Sequence, residues 1–154
     1  MTTRADVEQF LKLRRIAFVG VSRSPKDFTR SVFREFRRRG YDVVPVNPKA
    51  AEVDGMTCYR SVADIAPAPE GAMILTDPAV TLEVVRDCAA AGVRHLWMHK
   101  GAGRGSVSQE AIDFCRAHDT FVVAGECPFM FLPQAGLVHG LHRLFRRFAG
   151  TLPA

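Results

Sequence analysis

The residues of this chain best placed to do chemistry lie in Arg15-Ile-Ala-Phe-Val-Gly-Val-Ser-Arg-Ser-Pro-Lys26. There an apolar run stops at a glycine, and a hydroxyl-bearing loop leads into a helical pattern. In α/β proteins such a strand–loop–helix junction offers backbone N–H groups and the positive end of a helix dipole to a phosphate. Gly20 stands without the later glycines of G-x-G-x-x-G, and no Gly-Lys-Ser/Thr follows it. The junction therefore implies a phosphate-bearing ligand without naming one. A second group is Asn47-Pro48-Lys49, at the end of the next strand pattern. An NAD-binding unit carries Asp or Glu at that point to hold the ribose 2′-OH. A lysine there suits an additional phosphate near the ribose instead. NADP carries one and so does coenzyme A, and on these residues alone both stay open.

Other reactive side chains carry weaker signals. His139-Gly-Leu-His142 sets two imidazoles at a spacing that zinc uses, but no third ligand stands beside them, and no metal is expected. Ser22 lacks the G-x-S-x-G elbow and an arranged Asp/His pair, which argues against hydrolase chemistry. Cys58, Cys88, Cys115 and Cys127 show no C-x-x-C spacing, so free thiols are expected, the first three as small core hydrophobes. Cys127 differs in preceding Pro128 at a strand end, where Lys100 or a helix N-terminus could favour its thiolate. His95 and His118 border a strand and a helix end and read as structural.

Elements that would position these groups are legible as alternating patterns. Five apolar segments predict strands: Ile16 to Val21, Asp42 to Val46, Ala72 to Leu75, His95 to Met98 and Thr120 to Ala124. Their near-continuous apolar character fits strands covered on both faces. Helices are predicted from Val7, Phe10, Leu11 and Leu13 within a leading segment 1–14; from Phe28, Val32, Phe33 and Phe36 up to Gly40; and from Val80, Val84, Val85 and Cys88 up to Gly92. Ile112, Phe114 and Cys115 carry another, and Leu141, Leu144, Phe145 and Phe148 a last one over 138–150. The expected fold is α/β: a Rossmann-like, doubly wound, five-stranded parallel sheet in three layers, one domain over 1–154. Ligands of such folds sit at the carboxyl ends of the strands. All five strand patterns end in unusual residues: Gly20 to Pro25, Asn47 to Lys49, Thr76-Asp77-Pro78, His99-Lys100-Gly101 and Glu126-Cys127-Pro128.

With these segments in order, the chain resembles the stand-alone CoA-binding domain proteins, which are similar to the N-terminal domain of the succinyl-CoA synthetase α subunit. The resemblance rests on Val19-Gly-Val-Ser22, Gly40-Tyr-Asp-Val-Val-Pro-Val-Asn-Pro-Lys49, Leu96-Trp97 and Cys127-Pro128, and runs from about Ile16 to Pro128. It implies coenzyme A as the cofactor. Gly20, Val21, Ser22, Ser24, Pro25 and Lys26 would meet the phosphates, and Lys49, presented by Asn47 and Pro48, the 3′-phosphate. Thr76, Asp77 and Pro78 would border the adenine and pantetheine, with Lys100, Gly101, Cys127 and Pro128 toward the pantetheine end. A mixed disulfide between Cys127 and coenzyme A follows from that placement; a packed, turn-forming Cys is the plainer reading. The resemblance implies a ligand more firmly than an activity. The synthetase phosphohistidine belongs to a second domain that this chain is not expected to have, and His99-Lys100 stands where the synthetase is acidic.

Composition bounds the rest. The chain has 154 residues, 47% apolar and 24% charged, as in globular proteins. No apolar run reaches the roughly 20 residues that span a bilayer, and no secretory pattern opens the chain, so a cytoplasmic location is expected. The formal charge of +5 gathers at Arg30, Arg34, Arg37, Arg38 and Arg39 and at Arg143, Arg146 and Arg147. Both groups read as solvated helix faces, and without a recognition motif or interleaved aromatics nucleic acid is not the expected partner. Phe129 to Leu132, with Phe145 and Phe148, reads as core, with a homodimer surface as the alternative. The reading is a cytoplasmic binder of coenzyme A or acyl-CoA in acyl-CoA metabolism, without catalysis of its own. The alternatives are an NADP-dependent oxidoreductase and a protein-interaction module with a vestigial nucleotide pocket.

Overall fold

The computed structural model of the protein describes residues 1–101 and 103–133. The expected helix over 138–150, the His139/His142 pair and the second arginine group lie outside the described residues. In chain order the elements are α1 (Arg4–Leu11), β1 (Arg15–Val19), α2 (Phe28–Arg38), β2 (Asp42–Val46), β3 (Glu52–Val53) and β4 (Met56–Thr57). There follow β5 (Gly71–Ile74), α3 (Pro78–Ala90), β6 (His95–His99), α4 (Gln109–Ala117) and β7 (Phe121–Glu126). Five strands form one parallel sheet in the order β2-β1-β5-β6-β7. The fold is thus the expected Rossmann-like α/β arrangement, with each strand pattern in place.

Side-chain alternation along the strands divides the core into two faces. Ile16 and Phe18 of β1 point to one side with Met73 and Trp97, where Phe10 of α1 and Phe33 and Phe36 of α2 cover them. Ala17 and Val19 point to the other with Ile74, Leu96 and Met98, against Val85 and Cys88 of α3 and Cys115 of α4. Trp97 is fully buried, edge-on to Phe10 at 5.3 Å, and its indole N–H donates to the Glu126 carbonyl at 2.9 Å. Met130 and Leu132 are buried, with Phe129 and Phe131 packed against the first face, so that segment is core as expected.

Helix starts are set by local chemistry. Thr3 and Asp6 form a reciprocal capping box on α1. Asp27, Asp77 and Ser108 cap α2, α3 and α4, and Pro78 occupies the first turn of α3, where a missing N–H costs nothing.

Two features depart from the sequence expectations. β3 and β4 form an antiparallel hairpin whose turn residues, Asp54 and Gly55, both have positive φ (49° and 76°). This is the type I′ geometry that Asp-Gly favours. The hairpin leads on to Tyr59, which bridges to Val46 at the end of β2. The apolar stripe of α3 is also rotated from the expected one: Thr81, Val85 and Cys88 face the sheet, while Val80 is 43% exposed. Thr81 can be buried because its hydroxyl donates to the Ser106 carbonyl at 2.8 Å.

Candidate functional site

β1 lies between β2, which follows it, and β5, from which the chain continues outward to β6 and β7 on the other side; this reversal of strand order opens a crevice at the carboxyl end of β1. A cleft of about 680 Å³ occupies that position. Its floor is the ends of β1, β2 and β5, including Val19, Gly20, Val46 and Leu75. One lip carries Lys49 and Arg60, the other Asp77, Glu83 and Asp87 of α3, with Val80 and Val84 as an apolar wall. The cleft is therefore polarised: cations on the β2 side, carboxylates on the α3 side.

Gly20 sets the depth of this crevice. Its φ is +94°, and a Cβ there would sit 2.8 Å from Thr76 Cγ2 and 3.0 Å from the Thr76 backbone nitrogen. Only glycine lets the β1 loop pass this close to β5. Asn47 ties the neighbouring loop to it. Its Nδ2 donates to the Val21 carbonyl at 2.9 Å, and its Oδ1 accepts the Lys49 N–H at 2.9 Å, which fixes the turn carrying the exposed lysine.

The loop after β1 is largely satisfied by its own groups. Ser22 N–H donates to Thr29 Oγ1 at 2.9 Å, and Ser24 N–H to Ser22 Oγ at 3.1 Å. The start of α2 is occupied by Asp27, which accepts from the Thr29 N–H and hydroxyl at 2.8 and 2.6 Å. Pro25 and Lys26 are exposed at the loop's outer edge, and Val21 is buried.

Of the arginines of α2, Arg34, Arg37 and Arg38 are exposed, as a solvated face requires, but Arg30 is buried. Arg30 is 6% exposed, and its guanidinium pairs with Asp54 at the hairpin turn. Arg34 grips the same carboxylate through Nε and Nη2 at 2.8 and 2.9 Å. Arg38 and Arg39 pair with Glu35. The hydrogen bond from Arg34 holds the Asp54 carboxyl well below its ordinary value of 3.8, with Arg30 adding to it against the opposing effect of burial. A depressed folded pKa adds stability above the unfolded pKa and loses it as pH falls toward the folded one. Asp54→Asn is therefore expected to cost about 2–4 kcal/mol at neutral pH, because it leaves buried guanidinium charge uncompensated. In urea titrations the gap from the native protein should narrow below about pH 4. A gap independent of pH would contradict the ion-pair account.

At the far end of the sheet the arrangement is more apolar. Phe28 stacks on His99 at a centroid distance of 5.5 Å and meets Phe129 at 5.7 Å, and Gly101 lies against the same ring. His99 is 7% exposed, and burial pushes its imidazole pKa down. Its Nδ1 lies 3.3 Å from Ser106 Oγ, whose own proton goes to the Ile74 carbonyl at 2.7 Å. Lys100 is exposed, its N–H on the Glu126 carbonyl at 3.2 Å. Cys127 is 6% exposed and opens a short 3₁₀ turn, Pro128–Met130, which favours the packed reading of this thiol. Burial raises the Cys88 thiol to about 12 and the Cys115 thiol to about 11, so neither is a nucleophile. Among the described residues no cluster of three or more His, Cys, Asp or Glu could hold a metal, and no helix is long and apolar enough to cross a membrane.

The structure thus gathers Gly20, Asn47, Pro48, Lys49, Thr76 and Asp77 around one cleft. Ser22, Ser24, Pro25 and Lys26 lie on the adjoining loop, Pro78 begins α3, and Lys100, Gly101, Cys127 and Pro128 lie at the ends of β6 and β7. Arg60, Val80, Glu83 and Asp54 were missed. Arg60 and Glu83 carry no motif, and Val80 reads as part of a core stripe.

Comparison with known proteins fits this geometry. The α subunit of acetate–CoA ligase (ADP-forming) II from Pyrococcus furiosus is 30% identical over 89 residues, 57% of this chain and 20% of that protein. An acetate–CoA ligase (ADP-forming) from Methanocaldococcus jannaschii is 27% identical over 79 residues, 51% of this chain and 11% of that protein. The chain thus corresponds to a fifth or less of these relatives. A solved structure of a hypothetical protein from Pyrococcus horikoshii superposes with a TM-score of 0.75 at 28% identity, covering 94% of this chain and 93% of that one. The model of the CoA binding domain matches residues 14–133, and with most of its length so matched the chain belongs to the CoA binding domain family.

Proposed function

We propose that this protein binds coenzyme A, free or acylated, in the crevice between β1 and β5, as a cytoplasmic carrier, sensor or accessory of acyl-CoA metabolism rather than by turnover. The observation that carries the reading is the polarised cleft at the switch point of the sheet. Lys49 and Arg60 suit the 3′-phosphate on the cationic lip. Val80 and Val84 suit the face of the adenine, and Glu83 and Asp87 can accept from its exocyclic amine. The adjoining Gly20–Lys26 loop suits the pyrophosphate. From there the pantetheine would run toward Lys100, Gly101, Cys127 and Pro128, along the aromatic group of Phe28 and Phe129.

Calorimetric titration with coenzyme A, dephospho-CoA and NADP tests it. Coenzyme A is expected to bind, with dephospho-CoA weaker by about tenfold or more, since a charged hydrogen-bonded phosphate is worth about 1.5–3 kcal/mol. Preference for NADP would move the assignment to a dinucleotide. Absence of heat with all three would leave a protein-interaction module on the same fold.

A further inference from the structure

We propose that Asp54, Arg30 and Arg34 form a positioning device that turns two backbone N–H groups of the β1 loop, those of Arg23 and Lys26, toward the ligand. The inference rests on the coenzyme A reading and concerns how the pyrophosphate is met.

The loop's carbonyl groups are held from behind. Arg30 Nη1 donates to the carbonyls of Ser22 and Arg23 at 3.1 and 3.3 Å, and Arg34 Nη1 to that of Pro25 at 2.8 Å. These peptide bonds are trans, since the one cis bond among the described residues is Ala66–Pro67. In a trans peptide the C=O and the following N–H point in opposite directions. Anchoring the carbonyls of Ser22, Arg23 and Pro25 on the arginine side therefore aims the N–H groups of Arg23, Ser24 and Lys26 to the other. Ser24 N–H is taken by Ser22 Oγ, and Asp27 N–H by the Ser24 carbonyl. The Arg23 and Lys26 N–H groups have no acceptor among the described residues.

Asp54 holds the guanidinium groups where this requires them. The hairpin turn presents its carboxylate to Arg30 and Arg34, while Arg37 Nη1 donates to its carbonyl at 3.0 Å. Without that anchor, two cations beside the loop would be free to swing away from its carbonyls. Arg30 Nε is buried with no hydrogen-bond partner among the described residues. The contacts that hold its guanidinium are the Asp54 carboxylate and the Ser22 and Arg23 carbonyls.

The test separates the pyrophosphate from the adenosine end. Coenzyme A affinity is measured by calorimetry, and that of adenosine 3′-monophosphate, which has the 3′-phosphate but no pyrophosphate, by NMR titration. The native protein is compared with Asp54→Asn and with Arg34→Gln, a milder change because that side chain is 45% exposed. The expected result is a loss of about tenfold to a hundredfold for coenzyme A in both variants, as two charge-assisted N–H contacts weaken, with the monophosphate held within about twofold. Equal losses for both ligands would mean general damage and would overturn the positioning role. Unchanged or tighter coenzyme A binding would overturn it as well. If the native protein binds the monophosphate but not coenzyme A, the coenzyme A reading itself fails and takes this inference with it.

Discussion

Gly20→Ala is expected to destabilise the protein by about 2–4 kcal/mol and to abolish ligand binding at the crevice. Two costs add. An L-residue at φ +94° is strained wherever it sits. Here the new methyl would also stand 3.0 Å from the Thr76 nitrogen and 3.1 Å from the Leu75 carbonyl carbon, which are backbone and have little room to move. Both strands are pinned at this level, with the Gly20 N–H on the Val46 carbonyl at 2.9 Å and the Leu75 N–H on the Val19 carbonyl at 2.8 Å. Relief requires β1 and β5 to part where the ligand would lie. Gly40→Ala is the control: its φ of +87° is similar, but among the described residues a Cβ there meets nothing within 4 Å. It should cost about 1 kcal/mol, from backbone strain alone, and leave binding intact. Equal urea midpoints for the two variants would show that close approach at Gly20 carries no weight.

The contrast between these glycines also shows what the sequence could reveal. Gly40 was legible as a helix stop, because its role depends on the residues just before it. The five strands were legible because each is a buried apolar run, and the ordering of Gly, Asn-Pro-Lys and Cys-Pro at their ends pointed to one edge of the sheet. What stayed hidden depended on partners far along the chain. Arg30 looked like solvent-facing charge because nothing nearby marks Asp54, 24 residues on, as its counter-ion. Val80 looked like core because Thr81 is polar, yet Thr81 is the buried one once Ser106 supplies an acceptor 25 residues away. The Asp54-Gly55 hairpin was a readable turn signal, but each flanking strand is only two residues long, too short for alternation to show. It delivers the carboxylate on which the arginine stripe of α2 depends.

Lys49→Glu is expected to weaken coenzyme A binding by about a hundredfold or more while leaving dephospho-CoA within about threefold. The turn that carries the lysine is built by Asn47, whose Oδ1 holds the Lys49 N–H and whose Nδ2 holds the β1 loop. The side chain itself is exposed on the cleft lip, so the substitution should shift the melting temperature by no more than a degree or so. Charge reversal acts twice on a phosphate: the attraction is lost and a carboxylate repulsion takes its place. Arg60 on the same lip limits the damage, so the variant should recover part of its affinity as salt screens the new repulsion, whereas the native protein should weaken with salt. That inversion is the sharper readout, because a merely distorted turn would lower affinity without reversing its salt dependence. Equal losses for coenzyme A and dephospho-CoA would remove Lys49 from the 3′-phosphate and leave the cationic lip to Arg60, whose own reversal would then produce the discrimination.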